Sequence, residues 1–271
     1  MWWLLSFVRS VRKFILTNSH HPSGVDHPIF TESIRRIREA LADPAAPESW
    51  RQAGLRWADC PERDVLERCI HSSGDLAIAP DLVFSPELGA AGLGMAALAA
   101  GAPILTDTAM AAAAVAPMAR RTFANPVHCL LDWAPEQAPP GDTRSAVAVR
   151  AAWQELTGKQ VAARHPGSKA NSQADQPPPL VLIGSAPTAL ERLLDLVAAE
   201  GGLDRALPAP SLVIGMPVGF VGVAESKRRL AVSGLAHIRL EGSKGGAGLV
   251  AAACNALLRA AWLQAARSPR D

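Results

Sequence analysis

Short apolar runs alternate with amphipathic segments along most of the chain. In residues 29–41, apolar positions recur every three or four residues, which predicts a helix that Asp26 or Thr31 would cap. The segment 61–75 begins with proline, carries acidic residues in its first turn and ends near a glycine, which predicts another helix. The proline-rich stretch 46–61 between them is predicted to be a turn-rich connector.

The apolar runs predict the strands of one sheet. Predicted strands lie at 81–85, 103–107, 125–132 and 180–185, and at the starts of the segments 210–234 and 236–262. Because strands alternate with helices, we expect an α/β fold: a doubly wound, mostly parallel sheet flanked by helices, Rossmann-like. Three runs end in Asp107, Ser185 and Met216, so the loops at the carboxyl ends of the strands are expected to carry the function.

Three parts of the chain differ in composition. Residues 1–26 form an apolar and basic extension, and residues 27–265 form the predicted α/β domain. Within that domain, the segment 158–179 is polar and rich in Pro, Gly and Ser, which predicts a flexible insert.

The N-terminal extension is too short and too charged to span a bilayer, and it is a poor match to a signal peptide. Two interpretations stay open for residues 1–20. They form an amphipathic helix that docks on the domain or on a partner subunit, with disorder as the plainer variant. Alternatively they rest on a membrane surface, with Trp2 and Trp3 as interfacial anchors.

The overall charge disfavours a nucleic-acid partner. The 271 residues carry a net charge of +2, and no basic stripe with interleaved aromatic residues is present. The chain also lacks a G-x-G-x-x-G motif after its first strand and a G-x-x-x-x-G-K-[ST] motif, which disfavours a nucleotide cofactor. Its four cysteines form no C-x-x-C pair and no zinc spacing, so we expect inert thiols, no metal site and a cytoplasmic location.

His71 is the first candidate for chemistry. It ends a predicted helix, where a histidine ring often only complements the helix dipole. The loop that follows offers Ser72 and Asp75, which are able to fix the tautomer of the ring. The residues alone leave both interpretations open.

Other candidates lie at strand ends and in glycine-rich loops. Asp107 is either a helix cap or a site residue, and Arg144 at a helix start is either a carboxylate ligand or a solvated side chain. Gly184 and Gly219 let backbone amides approach a ligand, and Lys244 lies among glycines. Together these loops predict a wide crevice that suits a large ligand with many carboxylates better than a phosphate.

Several motifs of the chain resemble one family. The stretches "IHSSGD", "GAPILTDTAM", "TRSA", "IGSAPTAL", "GMPVGFVGVAESK" and a late "KGG" occur in the order found in precorrin-8X methylmutases, which include the cobalt-precorrin-8 methylmutases of cobalamin biosynthesis. The resemblance extends from about residue 27 to about residue 260. It departs from the family pattern at Ser185, where asparagine is common, and at Ser243, where arginine is often seen.

The resemblance implies an isomerase that moves a methyl group from C-11 to C-12 of a corrinoid macrocycle, giving hydrogenobyrinate or cobyrinate, with no metal, nucleotide or redox cofactor. It implies that His71 is the catalytic acid, that Arg68 and Ser33 bind substrate, and that the protein is a homodimer with shared sites. Together with the loop analysis, it gives these further expected substrate-binding residues: Ser72, Asp107, Arg144, Ser185, Gly219 and Lys244.

Two alternatives remain. A non-catalytic carrier of corrinoid intermediates would need the same crevice, and so would an α/β protein that binds another polyacid. The sequence also leaves open whether the substrate is metal-free or holds cobalt, because no ligand motif distinguishes the two.

Overall fold

The computed structural model describes residues 26–58, 60–86, 89–163, 176–198 and 208–267, with the side chains of 158–163 outside the description. Residues 1–20 are not among them, so both interpretations of this segment concern residues outside the described part of the chain. The helices are α1 Pro28–Ala42, α2 Glu48–Arg56, α3 Glu62–Ser73, α4 Ala90–Ala99, α5 Ala109–Arg121, α6 Arg144–Ala163, α7 Pro187–Ala198, α8 Val223–Ala231 and α9 Ala247–Arg267. The strands are β1 Leu82–Ser85, β2 Ile104–Thr106, β3 Val127–Cys129, β4 Leu180–Ile183, β5 Leu212–Gly215 and β6 His237–Leu240.

The described strands form one sheet in the order β1-β6-β5-β4-β2-β3. Strand β1 pairs with β6 in antiparallel register, whereas all other neighbours are parallel. Every residue of β2, β4 and β5 is buried, as expected for parallel strands that helices cover on both sides. The predicted mostly parallel sheet is confirmed.

Alternate side chains of the central strands enter two separate cores. Leu182 and Ile214 pack in a core with helices α1 to α5 and α9, while Val181 and Val213 pack in a core with α6, α7 and α8. This arrangement confirms the doubly wound fold. Helix α9 is long and apolar enough to cross a membrane, but most of it is buried within the protein, as in a central core helix.

Two local predictions were wrong. The stretch 46–61 contains helix α2, because Pro47 precedes the helix instead of interrupting it, and Trp57 at its end is buried. Helix α1 is capped by His27, whose Nδ1 accepts from the Ile29 amide, not by Asp26 or Thr31.

The predicted insert 158–179 is shorter at both ends than expected. Helix α6 continues to residue 163 and therefore takes the first six residues of the insert. At the other end, the carbonyl of Pro178 accepts a hydrogen bond of 2.7 Å from the Ser211 hydroxyl, which fixes the chain just before β4. Residues 164–175 lie outside the described part of the chain.

Candidate active site at the end of helix α3

Helix α3 ends beside helix α1, and this contact defines the candidate site. His71 lies in the last turn of α3, which Gly74 closes in a left-handed conformation with a φ of 67°. Its Nδ1 forms a hydrogen bond of 2.7 Å with the hydroxyl of Ser33 from α1. The ring of Phe30, also from α1, meets the imidazole edge-on at a centroid distance of 5.2 Å. Two side chains of α1 therefore fix the orientation of an exposed histidine ring.

Arg68 lies one helical turn before His71 and also packs on the Phe30 ring. Its guanidinium carbon is 4.3 Å from the centroid of that ring, a cation–π contact. Partial burial and the positive charge of Arg68 both lower the pKa of His71. The pKa of Arg68 is lowered as well, first by burial and then by the positive charge of Arg259.

A pocket of about 460 Å³ opens between α1, α3 and α9 beside this group. The residues that line it are Asp26, Phe30, Thr31, Ile34, Arg35, Arg38, Glu39, Asp64, Glu67, Arg68, Ala256 and Arg259.

Three of the four arginines that line this pocket are neutralised by carboxylates. Arg35 pairs with Glu32 and Glu39, Arg38 pairs with the buried Glu67, and Arg259 pairs with Asp26 and Asp64. Arg68 differs, because no carboxylate of the described residues lies within ion-pair distance of it. Among the four arginines of this pocket, the guanidinium of Arg68 is therefore the one available to form an ion pair with a carboxylate of a ligand.

The glycine-rich loop after β6, residues 241–246, reaches the same end of α3; we call it the β6 loop. Lys244 from this loop forms an ion pair of 2.7 Å with Asp75, four residues after His71. This contact, with the hydrogen bond from the Asp75 backbone amide to the Ser73 hydroxyl, links the β6 loop to the end of α3. A Cβ added at Gly248, in the first turn of α9, would lie 3.9 Å from the Ser72 hydroxyl, so Ser72 lies near the start of α9.

The loop after β5, residues 216–222, packs on the β6 loop; we call it the β5 loop. The amide of Gly219 donates to the carbonyl of Ser243 at 3.1 Å, which joins Gly219 to the neighbour of Lys244. The structure therefore brings together most of the predicted site: Ser33, Arg68, His71, Ser72, Gly219 and Lys244.

Asp107, directly after the end of β2, is buried and only 1% exposed. Its Oδ2 accepts hydrogen bonds of 2.6 to 3.0 Å from the amides of Gly184, Ser185 and Ala186. Burial raises the pKa of this carboxyl, against the opposing effect of these amides. Thr108, not Asp107, caps helix α5. Asp107 thus holds the loop that begins α7, and a direct substrate contact by its side chain stays a prediction.

Arg144 and Ser185 are both exposed, and Ser185 follows Gly184, whose carbonyl accepts a hydrogen bond of 3.2 Å from the amide of Val218 in the β5 loop. Arg144 begins α6, which packs on the opposite face of the sheet from α3, and it donates to the carbonyl of Pro135 at 2.8 Å. No described contact links Arg144 to His71. Ser185 carries its side chain on the loop that Asp107 holds. Substrate contacts by these two residues stay predictions.

Phe30 and Arg259 were not expected at the site from the sequence, and neither was the complete burial of Lys227. Phe30 stands one helical turn before Ser33, and that spacing was the available signal for their shared face. Arg259 approaches Asp26 and Phe30 only in the folded chain. Among the described residues, no group of three or more His, Cys, Asp or Glu side chains is placed to hold a metal ion.

The chain is similar to several known methylmutases. A model of the family described as precorrin-8X methylmutase matches residues 28–260. The precorrin-8X methylmutase of Pseudomonas aeruginosa is 42% identical over 195 residues, covering 70% of this chain and 80% of that protein. The cobalt-precorrin-8 methylmutase of Synechocystis is 33% identical over 250 residues, covering 88% of this chain and 97% of that protein.

A solved structure agrees with these sequence relatives. The precorrin-8X methylmutase of Thermus thermophilus superposes with a TM-score of 0.62 at 33% identity, and the match covers 87% of this chain and 98% of that one. The matched region contains both α1 and α3, and with them Ser33, Arg68 and His71. The chain belongs to the precorrin-8X methylmutase family.

Proposed function

We propose that this protein catalyses the migration of a methyl group from C-11 to C-12 of precorrin-8X or cobalt-precorrin-8, giving hydrogenobyrinate or cobyrinate. The observation that carries the proposal is the His71 ring, exposed beside a pocket and oriented by Ser33 and Phe30. A methyl shift within one molecule needs little covalent help. The protein has to bind one form of the substrate and hold a proton at the right nitrogen.

His71 is the proposed proton donor, and Ser33 is proposed to set its tautomer. In the protonated ring, Nδ1–H donates to the Ser33 hydroxyl oxygen and Nε2–H is the proton available to the substrate; after the transfer, the neutral ring keeps its proton on Nδ1. The lowered pKa of His71 makes the protonated ring a stronger acid. Ser33, which the resemblance assigns to substrate binding, would then act at least partly through the histidine.

Arg68 is the proposed anchor for a carboxylate of the macrocycle. It is the pocket arginine without an ion-pair partner among the described residues, and it stands on the turn preceding His71. A carboxylate bound there would remove an uncompensated, partly buried charge, which favours binding.

The loops at the carboxyl edge of the sheet are proposed to hold the rest of the macrocycle. The residues in question are Ser72, Asp107, Arg144, Ser185, Gly219 and Lys244. Ser72 belongs to the last turn of α3, Lys244 pairs with Asp75 just after it and Gly219 bonds to Ser243. Asp107 would contribute by holding the loop of Ser185.

We further propose a cytoplasmic homodimer with sites shared between subunits. The β5 loop presents Phe220 and Val221, which are 94% and 87% exposed, beside Gly219. Exposed apolar side chains next to a site are typical of surfaces that a partner covers. Light scattering of the purified chain measures the oligomeric state directly.

The decisive experiment follows the absorption spectrum of the purified chain with metal-free and with cobalt-containing substrate. We expect the absorption spectrum to change while the mass of the product equals that of the substrate, since the product is an isomer of the substrate. His71→Ala should lower turnover by at least about 100-fold while substrate still binds. His128→Ala, on edge strand β3, is the control and should keep wild-type turnover.

Two outcomes would contradict the proposal. Near-wild-type turnover by the His71→Ala variant would remove the histidine from the reaction. Binding of either tetrapyrrole by the wild-type chain without any spectral conversion would favour the carrier instead.

A further inference from the structure

A buried lysine of helix α8 contacts the loop that carries Lys244. Lys227 is 0% exposed, although its helix begins directly after the β5 loop. Burial lowers the pKa of its ammonium group to about 8, against the opposing charge of Glu241. Among the described residues, no carboxylate forms an ion pair with it. A buried cation without an ion pair is costly, so its hydrogen bonds have to compensate.

The hydrogen bonds of Lys227 converge on the β6 loop. Its Nζ donates to the carbonyl of Gly242 at 2.8 Å and to the carbonyl of Lys244 at 2.7 Å. A single amine thus holds both sides of the turn that contains Ser243. Because Lys227 belongs to the helix that follows the β5 loop, the same side chain also ties the two loops to each other.

Backbone contacts reinforce the same junction. The amide of Gly246 donates to the carbonyl of Met216 at 2.9 Å, and the Gly219 amide donates to Ser243. Gly245 packs so closely that an added Cβ would lie 2.0 Å from the Met216 carbonyl oxygen. The position of Lys244 is therefore set by contacts between the β5 and β6 loops.

We propose that Lys227 is a positioning residue, which locks the β5 and β6 loops together and so holds Lys244 against Asp75 beside the end of α3. Its hydrogen bonds fix the Lys244 carbonyl, and the Lys244 side chain reaches Asp75 from that fixed backbone. Lys227 is fully buried and touches no substrate. Its effect on the reaction would pass through Lys244.

Hydrogen exchange on the full chain tests the loop-locking step without any substrate. In Lys227→Met, we expect the amides of 242–246 to exchange about tenfold faster, since the carbonyls on both sides of the turn lose their donor. Ser226→Ala is the matched control, because Ser226 is equally buried but bonds only within its own helix, and it should exchange like wild type. Unchanged exchange in folded Lys227→Met would overturn the proposal.

A double-mutant cycle tests whether Lys227 acts through Lys244. Lys227→Met should raise KM about tenfold with kcat within about twofold, and in a Lys244→Met background the same change should cost less than about twofold. A merely structural role would cost the same factor in both backgrounds, and that result would overturn the proposal. If Lys227→Met does not fold, Lys227→Gln, whose shorter side chain cannot place one ammonium group on both carbonyls, is measured in the same way, and wild-type-like exchange there counts equally against the proposal.

The kinetic readout rests on the proposed methylmutase activity, whereas the exchange readout does not. A wild-type chain without turnover would count against the proposed function alone. Normal turnover with unchanged loop exchange in the Lys227 variants would count against this inference alone.

Discussion

The two sides of the candidate site are built in opposite ways. At the end of α3, exposed or half-buried side chains contact one another: His71, Ser33, Phe30 and Arg68. At the carboxyl edge of the sheet, the buried charges of Asp107 and Lys227 instead bond to backbone groups of loops. The first side offers its polar groups to a ligand, while the second uses its charges internally. Substitutions on the helical side should therefore act directly on the reaction, whereas those on the loop side should act first on the stability or order of the loops.

The largest effect is expected where the two loops meet. Gly245→Ala places a Cβ against the Met216 carbonyl, so the backbone must shift, at a cost of about 1 to 3 kcal/mol or more of unfolding free energy. Gly92→Ala, in helix α4 with open space around it, is the control and should leave stability unchanged or raise it. Thermal and urea unfolding measure both. Equal stability of the Gly245→Ala variant and wild type would show that the loop junction is loose.

A smaller effect, on rate alone, is expected at Ser33. Ser33→Ala removes the hydrogen bond to Nδ1 of His71, and kcat should fall about fivefold to tenfold, the equivalent of roughly 1 kcal/mol. The melting temperature should stay close to that of wild type, since the bond is exposed. Ser33→Thr keeps the hydroxyl and should recover most of the rate. A larger change in KM than in kcat would instead assign Ser33 to substrate binding.

The contrast between the two sides also explains what the sequence was able to predict. The family resemblance pointed to Arg68 and His71, and because they lie on adjacent turns of one helix, their spacing then placed them on one face. The positions of the functional loops were predicted from the ends of the strands and from the glycines that follow, because parallel strands end at a common edge of the sheet. Local pattern was sufficient here because these partners are close along the chain or follow from the order of the strands.

The hydrogen-bond partners of the buried charges were not predictable from the local sequence pattern. Asp107 bonds to amides 77 to 79 residues away, and no periodicity indicates such a contact. Lys227 shares the buried face of α8 with Val223, Ser226 and Leu230. From sequence alone, a lysine at this position is expected to be exposed to solvent, because lysine is rarely fully buried. The cap of α1 was predicted wrongly for a different reason: its partner is only two residues away, but His27 is an uncommon capping residue.

The smallest expected effect concerns the electrostatic link between Arg68 and His71. The positive charge of Arg68 disfavours the protonated imidazole, so Arg68→Met should raise the pKa of His71, while the part of the shift due to burial should persist. Titration of the His71 ring signals by NMR without substrate measures this directly. Arg36→Met, which removes an exposed charge of α1, is the control and should leave the His71 pKa in place.

In turnover, the sign of this shift separates two effects of Arg68. A protonated His71 is lost as the pH rises through its pKa, so the rate of Arg68→Met should persist to higher pH than that of wild type, while its KM rises because the carboxylate anchor is gone. A His71 pKa that stays the same or falls in this variant would show that the two side chains, although one turn apart, are electrostatically independent. In that case Arg68 would contribute to the helical side of the site only as a binding group.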